Sequence, residues 1–465
     1  MLTKVKRLSD FTSGNLLKQI ALFAIPVAAT ALLQLTFNAA DTMVVGRWGG
    51  ATPDECETAL AAVGSCGSIT NLIVGLFMGL AVGAGVTVAH DIGAGNQREI
   101  KKTVHTSIVL AAVLGVVVGI VGAFLARPLL ILMGSPEAVL NQAVPYMVAV
   151  FFGIPASMMY NYLATILRSY GDSSTPLKYL TIAGVINVIL NMIMVIVFKT
   201  GALGVGVATA VSNWVSAVLV FLYMMRIDGP LKIDIHSLRV DKRKLTKMLL
   251  IGLPAGVQGC VFSVSNVIIQ SSINSFDKVV IAGNTAAMNI DSVVYNLQNA
   301  FYHASITFVG QNIGAGNVKR VKRSVLYCLL LELSVGIISG TVVYIAGRPL
   351  LGIFAPGNEA VISAGMVRLK YVCLPYFLCG LFEVASGALR GLGKSVVSTI
   401  CSIIGSCVIR IVYIYTVFAY FNTIDVLYMA YPISWAITAA IMYTVFFIFL
   451  RRISKRIKLG KQLTA

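Results

Sequence analysis

Apolar windows of about 20 residues recur along the whole chain, and no other feature limits its fold so severely. Twelve are discernible, roughly at 16–45, 60–89, 104–126, 138–167, 177–198, 203–225, 248–274, 280–309, 325–346, 360–389, 396–420 and 427–450. Each is long enough to cross a bilayer as a helix. None shows the two-residue alternation of a barrel strand. Lipid cannot hydrogen-bond the backbone, so only helices and closed barrels span it. The chain is therefore expected to be an all-α polytopic membrane protein with 12 transmembrane helices. Charged residues make up 12% of the 465, about half of what a soluble domain carries.

The net charge of +18 would suit a nucleic-acid partner, but its distribution argues against one. Some 28 of the 36 basic residues fall in alternate loops, counted from the N-terminus. The opposite loops hold five: Arg47, Arg127, Lys199, Lys278 and Arg348. Such asymmetry places both termini in the cytoplasm; the expected location is the plasma (inner) membrane. The lead-in "MLTKVKRLSDFTSGNLLKQ" has no small-residue cleavage site, so no signal peptide is expected. Seven of the eight cysteines fall in predicted helices and Cys56 in an outer loop, which points to neither disulfides nor a metal site.

The chain contains itself twice. "HDIGAGNQREIKKTVHTS" matches "GQNIGAGNVKRVKRSVLY", with Gly93 and Gly314 221 apart; "ILRSYGDSSTPL" matches "ALRGLGKSVVST", with Arg168 and Arg390 222 apart. Pro26 pairs with Pro254, and Asn38 with Asn266, at 228. An even number of spans per half brings both halves in from the same side. They form two pseudo-symmetric six-helix lobes related by an axis along the membrane normal, with substrate between them. The expected organisation is an N-lobe at 1–225, a cytoplasmic linker at 226–247 and a C-lobe at 248–465. In the repeated loop, glycine ends one helix in a left-handed cap, and Asn96 with Glu99 opens the next as a capping box. "ALRGLGKS" lacks the first glycine of a phosphate loop, having Ala388 there, so ATP binding is not expected.

Span 1 with its P…N-x-x-D-x-x-x-x-G pattern, the paired GAGN loops and the paired LR-x-x-G ends resemble the multidrug and toxic compound extrusion (MATE) family, in its DinF-like prokaryotic branch. The resemblance covers essentially the whole chain. It implies a transporter, not an enzyme: a monomer in the lipid bilayer that exports small, often cationic or aromatic compounds in exchange for H⁺ and/or Na⁺, without a cofactor.

An ionised side chain at mid-membrane costs about 2.5–3.5 kcal/mol on insertion scales, so charges that persist there are paired, wetted or functional. Gln34, Asn38 and Asp41 share one face of span 1, and Asn187 and Asn191 one face of span 5. The resemblance makes Asp41, Asn187, Asn191 and Thr209 the cation-coupling set, with one departure: Asn191 stands where the family has a second aspartate. One carboxylate with amide and hydroxyl oxygens suits Na⁺. Burial also favours the neutral form of a lone carboxyl, which suits a proton carrier. The residues do not choose between the two ions.

In the second half, Asn266 and Gln270 continue the corresponding stripe on span 7. Span 8 presents Asp291, Tyr295, Gln298 and Tyr302 on one stripe, with Asp291 expected to face a cavity. Glu383 in span 10 and Arg410 in span 11 are expected to form a charge pair, Glu383 being also a substrate candidate. Glu332 is read as snorkelling or paired. The alternatives are a lipid-linked precursor or polysaccharide flippase of the same superfamily, which needs a strongly basic cavity, and a lipid-modifying membrane enzyme. Four scattered histidines (90, 105, 236, 303) offer no catalytic set for the latter.

Overall fold

The structure, a computed structural model, describes residues 10–458; Lys4, Lys6, Arg7 and Lys461, counted above among the basic residues, lie outside them. All regular structure among the described residues is helical. In chain order the helices are α1 (Leu16–Trp48), α2 (Pro53–Gly93), α3 (Gln97–Leu132), α4 (Glu137–Ser169), α5 (Ser174–Met192), α6 (Gly201–Arg226), α7 (Lys242–Ile273) and α8 (Lys278–Gly314). There follow α9 (Val318–Ile345), α10 (Gly347–Phe354), α11 (Glu359–Arg368), α12 (Tyr376–Gly391), α13 (Ser395–Ser402), α14 (Ile409–Tyr413), α15 (Ala419–Phe421) and α16 (Ile424–Lys458). Wide π turns join several of them into longer rods. Ile193–Val197 extends α5, Leu369–Cys373 follows α11, and Ile403–Val408 and Ile414–Phe418 flank α14.

Counted as such rods, 11 helices among the described residues are long and apolar enough to cross a membrane. The predicted eighth span, α8, has 37 residues and is not among the 11. Its length suffices, but Asn284, Asn289, Asp291, Ser292, Asn296, Gln298 and Asn299 make it polar. Cys56, read as a loop residue, sits in the first turn of α2, with Gly50 N–H donating to its sulfur at 3.2 Å. All eight cysteines are free thiols.

The described chain divides into two compact units. One contains 29–88 and 96–249; the other contains 10–28, 89–95 and 250–458. The first has a core that includes Val45, Cys66, Leu130, Met147, Tyr162 and Met248, all fully or almost fully buried. The stretch 226–247 is docked onto α3 within this unit. Asp241 N–H donates to Thr106 Oγ1 at 3.0 Å, and Lys244 Nζ lies 3.1 Å from Glu99 Oε2. The second unit's core runs from Phe11 and Ile20 through Phe308 to Tyr428 and Phe446. Its N-terminal segment is fastened by Arg320, which donates to the carbonyls of Phe11 (2.9 Å), Ser13 (2.5 Å) and Gly14 (3.0 Å).

The duplicated loops are solved in the same way twice. Gly95 and Gly316 take φ of +69° and +70°. Asn96 and Asn317 then cap the following helices, accepting from Glu99 N–H at 3.2 Å and Arg320 N–H at 3.0 Å. Glu99 does not complete a capping box, because its carboxylate is held by Lys102 at 2.6 Å and by Lys244. Within the second unit the ends of α2 and α8 cross at their glycines. A Cβ on Gly93 would lie 1.9 Å from Gln311 O, and one on Gly314 2.2 Å from His90 O. Neither oxygen belongs to a flexible side chain, so Gly93→Ala should cost about 1–3 kcal/mol through overpacking. Gly95→Ala meets open space, and should cost only the left-handed backbone penalty of about 1–2 kcal/mol. Thermal melting in detergent should rank Gly93→Ala and Gly314→Ala below Gly95→Ala; the reverse order would refute the close crossing.

Candidate cation site and cavity

In the first unit, the residues expected to couple the cation meet. Asp41 projects from α1, Asn187 and Asn191 from successive turns of α5, and Thr209 from α6. Asn191 Nδ2 donates to Asp41 Oδ1 and, at 3.3 Å, to Asn187 Oδ1. The single proton of Thr209 Oγ1 is within reach of Val205 O at 2.9 Å and of Asp41 Oδ2 at 3.4 Å. Asn187 and Asn191 are buried, and Asp41 is half-buried. Asn191 Oδ1 is a buried acceptor with no hydrogen-bond partner. The side chains carry one formal negative charge, and their carboxylate, amide and hydroxyl oxygens are the donor types that fit a hard monovalent cation. As placed, the Asn191 amide nitrogen does what a cation would do, offering positive character to the carboxylate. Turning that amide over would bring the orphaned oxygen to face Asp41. Directly after Asn191 and Met192, α5 widens into its π turn, a feature frequent at functional sites. Gln34 and Asn38, on the stripe leading to Asp41, are exposed.

The second unit contains an open cavity of about 440 Å³. Asn266, Gln270, Asp291, Tyr295, Glu383 and Arg410 line it, as do Arg368, Met288 and a wall of Tyr376, Tyr431 and Trp435. Ring centroids along that wall are 5.1 Å (Tyr376–Trp435) and 5.6 Å (Tyr431–Trp435) apart. Gln298 does not reach this cavity; it is fully buried behind it.

The ion pairing differs from the sequence-based expectation. Glu383 and Arg410 share the cavity wall, but no ion pair joins them among the described residues. Arg410 instead donates to Ser434 Oγ from Nε (3.3 Å) and Nη2 (3.2 Å) and lies 4.5 Å from the Tyr431 ring centroid. The buried pair is Asp291 with Arg368, at 2.9 Å from Nε and 2.8 Å from Nη2. Arg368 Nη1 also donates to Asn284 Oδ1 at 2.9 Å, and Tyr428 OH donates to the same oxygen at 3.0 Å. Sequence reasoning passed over Arg368 because it lies inside an apolar window, although a charge in such a window is itself the signal. Arg390, marked by the repeated LR motif, donates to Tyr302 OH and to Gln258 Oε1, the latter at 2.9 Å.

The family model MatE matches residues 26–193 and 254–416, once in each half of the sequence. The chain belongs to the MatE family. The family is one of membrane transporters that take small molecules and need no cofactor; its members are not enzymes. A probable multidrug resistance protein of Bacillus subtilis (strain 168), YpnP, is 28% identical over 408 residues, 86% of this chain and 88% of that protein. An FAD transporter of Shewanella oneidensis is 25% identical, over 80% of this chain and 82% of its own. Among solved structures, an outward-facing multidrug resistance MATE transporter of the MOP superfamily superposes with a TM-score of 0.89. That match has 21% identity and covers 97% of this chain and all of that one. With this fold, the MatE chain is an all-α, multi-pass membrane protein.

The Asp291–Arg368 pair makes a clear energetic statement. Asp291→Asn or Arg368→Gln alone leaves an uncompensated buried charge and should cost about 3–5 kcal/mol. The double variant should regain a large part of that. Additive losses in detergent melting curves would show that the two side chains do not depend on each other.

Proposed function

We propose that this MatE chain is a secondary active antiporter of the plasma (inner) membrane, monomeric and with both termini cytoplasmic. It exports small, often cationic or aromatic compounds by alternating access, in exchange for H⁺ and/or Na⁺. The observation that carries the coupling site is the cluster of Asp41, Asn187, Asn191 and Thr209, gathered from three helices around one carboxylate with one buried acceptor unfilled. Its single formal charge is neutralised by one bound proton or one bound Na⁺, so either ion discharges the same site. The aromatic wall and the mixed charges of the second unit's cavity suit chemically varied substrates. The multidrug resistance names of relatives agree with this reading. A flippase for lipid-linked precursors would need a strongly basic cavity, whereas here Arg368 is neutralised by Asp291 and Glu383 accompanies Arg410.

The test is export of fluorescent cations from proteoliposomes under separately imposed Na⁺ and H⁺ gradients. Asp41→Asn should fall to the rate of protein-free vesicles while the protein stays folded, since an amide replaces a partly buried charge. Asn191→Asp adds a second anionic oxygen and should raise the dependence on Na⁺. Wild-type export by Asp41→Asn, with the gradient as sole energy source, would remove Asp41 from the coupling mechanism.

A further inference from the structure

We propose that Glu332, closed against Gln298 and Gly380 in the second unit, is a proton-binding site separate from the Asp41 cluster. Sequence reasoning left Glu332 near a helix end, where it could snorkel or pair. It does neither. α9 begins at Val318, so Glu332 lies about 20 Å along the helix from that end, at about 1.5 Å per residue. Its side chain is fully buried, and both carboxyl oxygens have no hydrogen-bond partner. Facing it from α8 is Gln298, 1% exposed, whose amide oxygen and nitrogen are also both unpartnered. One point, where a Cβ on Gly336 would sit, is 2.9 Å from Gln298 Nε2 and 3.1 Å from Glu332 Oε1. On α12, a Cβ on Gly380 would be 1.6 Å from Glu332 Oε1, so the carboxyl occupies the space that a side chain at 380 would need. Two glycines thus hollow out a niche for an acid and an amide.

Among the described residues no charge is paired with Glu332 there. The titratable groups around it are Cys328 on its own helix, Cys379 on α12 and Tyr443 on α16, whose hydroxyl is already given to Leu381 O at 2.9 Å. An ionised carboxylate without partners is too costly at such a site, so the group rests there as the acid. The acid offers one O–H donor and one carbonyl acceptor, the complement of an amide's oxygen and nitrogen. A metal cation would want several oxygens, and the niche offers two side chains walled by glycine and Phe377. Cys379 lines the cavity, and the next residue, Gly380, is the one against which the Glu332 carboxyl is closed. Displacing α9 from α12 would wet the carboxyl and release its proton. The exchange of that proton during transport rests on the antiporter reading above; its presence does not.

Infrared spectroscopy of the purified full chain in lipid nanodiscs tests the first part. At neutral pH the wild type should show the carbonyl stretch of a protonated carboxylic acid. Part of that band should persist in Asp41→Asn and lose intensity on adding Glu332→Gln. Gly380→Ala, which evicts the carboxyl from its niche, should shift it. A wild type with no such band overturns the proposal without requiring any Glu332 variant to fold, as does a band unchanged by Glu332→Gln. In proteoliposomes with Asp41 intact, Glu332→Gln should lower the protons moved per substrate by one; an unchanged count would overturn the exchange. Wild-type export that follows neither an H⁺ nor a Na⁺ gradient would sink the antiporter reading but leave the infrared result standing.

Discussion

A polar group inside a bilayer must find its partner within the protein, because lipid supplies none. The interior of this chain is arranged around that constraint. Buried serines and threonines return their hydroxyls to carbonyls one turn back, as Thr87 does to Gly83 and Ser107 to Thr103. Asp291 is held by Arg368, Arg368 by Asn284, and Asn284 by Tyr428. Among the buried groups that leave the constraint unmet, Asn191 Oδ1 lies beside the Asp41 carboxylate, and Gln298 lies beside Glu332, whose own two oxygens are unpartnered. Unsatisfied buried groups are rare enough in folded proteins that each calls for a reason, and exchangeable ions supply one here.

Much of this was legible in the sequence, because membrane helices are written in length and hydropathy. The Asp41 cluster was legible too: spacing of four along α5 fixes Asn187 and Asn191 on one face, and the family pattern joins that face to Asp41 and Thr209. Periodicity says which side chains share a face of one helix. It does not say which faces of two helices meet, and that limit explains the misassigned ion pair. Glu383 and Arg410 were matched by depth in consecutive spans, whereas Asp291 finds Arg368 across 77 positions of sequence. The eighth span was read at 280–309 and is α8, although polar residues that serve the cavity and the buried networks lower its hydropathy.

Glycine was the other signal read incompletely. The repeated glycines were understood as turn formers, which holds for Gly95 and Gly316. Gly93 and Gly314 instead allow two backbones to touch, and Gly380 makes room for a carboxyl. A sequence shows that a side chain is missing but not what fills the space.

The fastening of the N-terminal segment has a consequence for how the protein is made. Phe11 stacks on Phe308 with ring centroids 4.1 Å apart, and its carbonyl is held by Arg320, 309 residues further on. When a ribosome has delivered the first span, the surface on which Phe11 and Phe23 will rest does not yet exist. Those rings must wait in lipid or on a chaperone until α8 and α9 have been inserted. The second unit thus takes in a segment that precedes the first unit in the sequence, and that segment's packing is completed only when helices that follow the first unit arrive; a chain stalled before α8 would leave Phe11 and Phe23 without the Phe308 ring on which they rest.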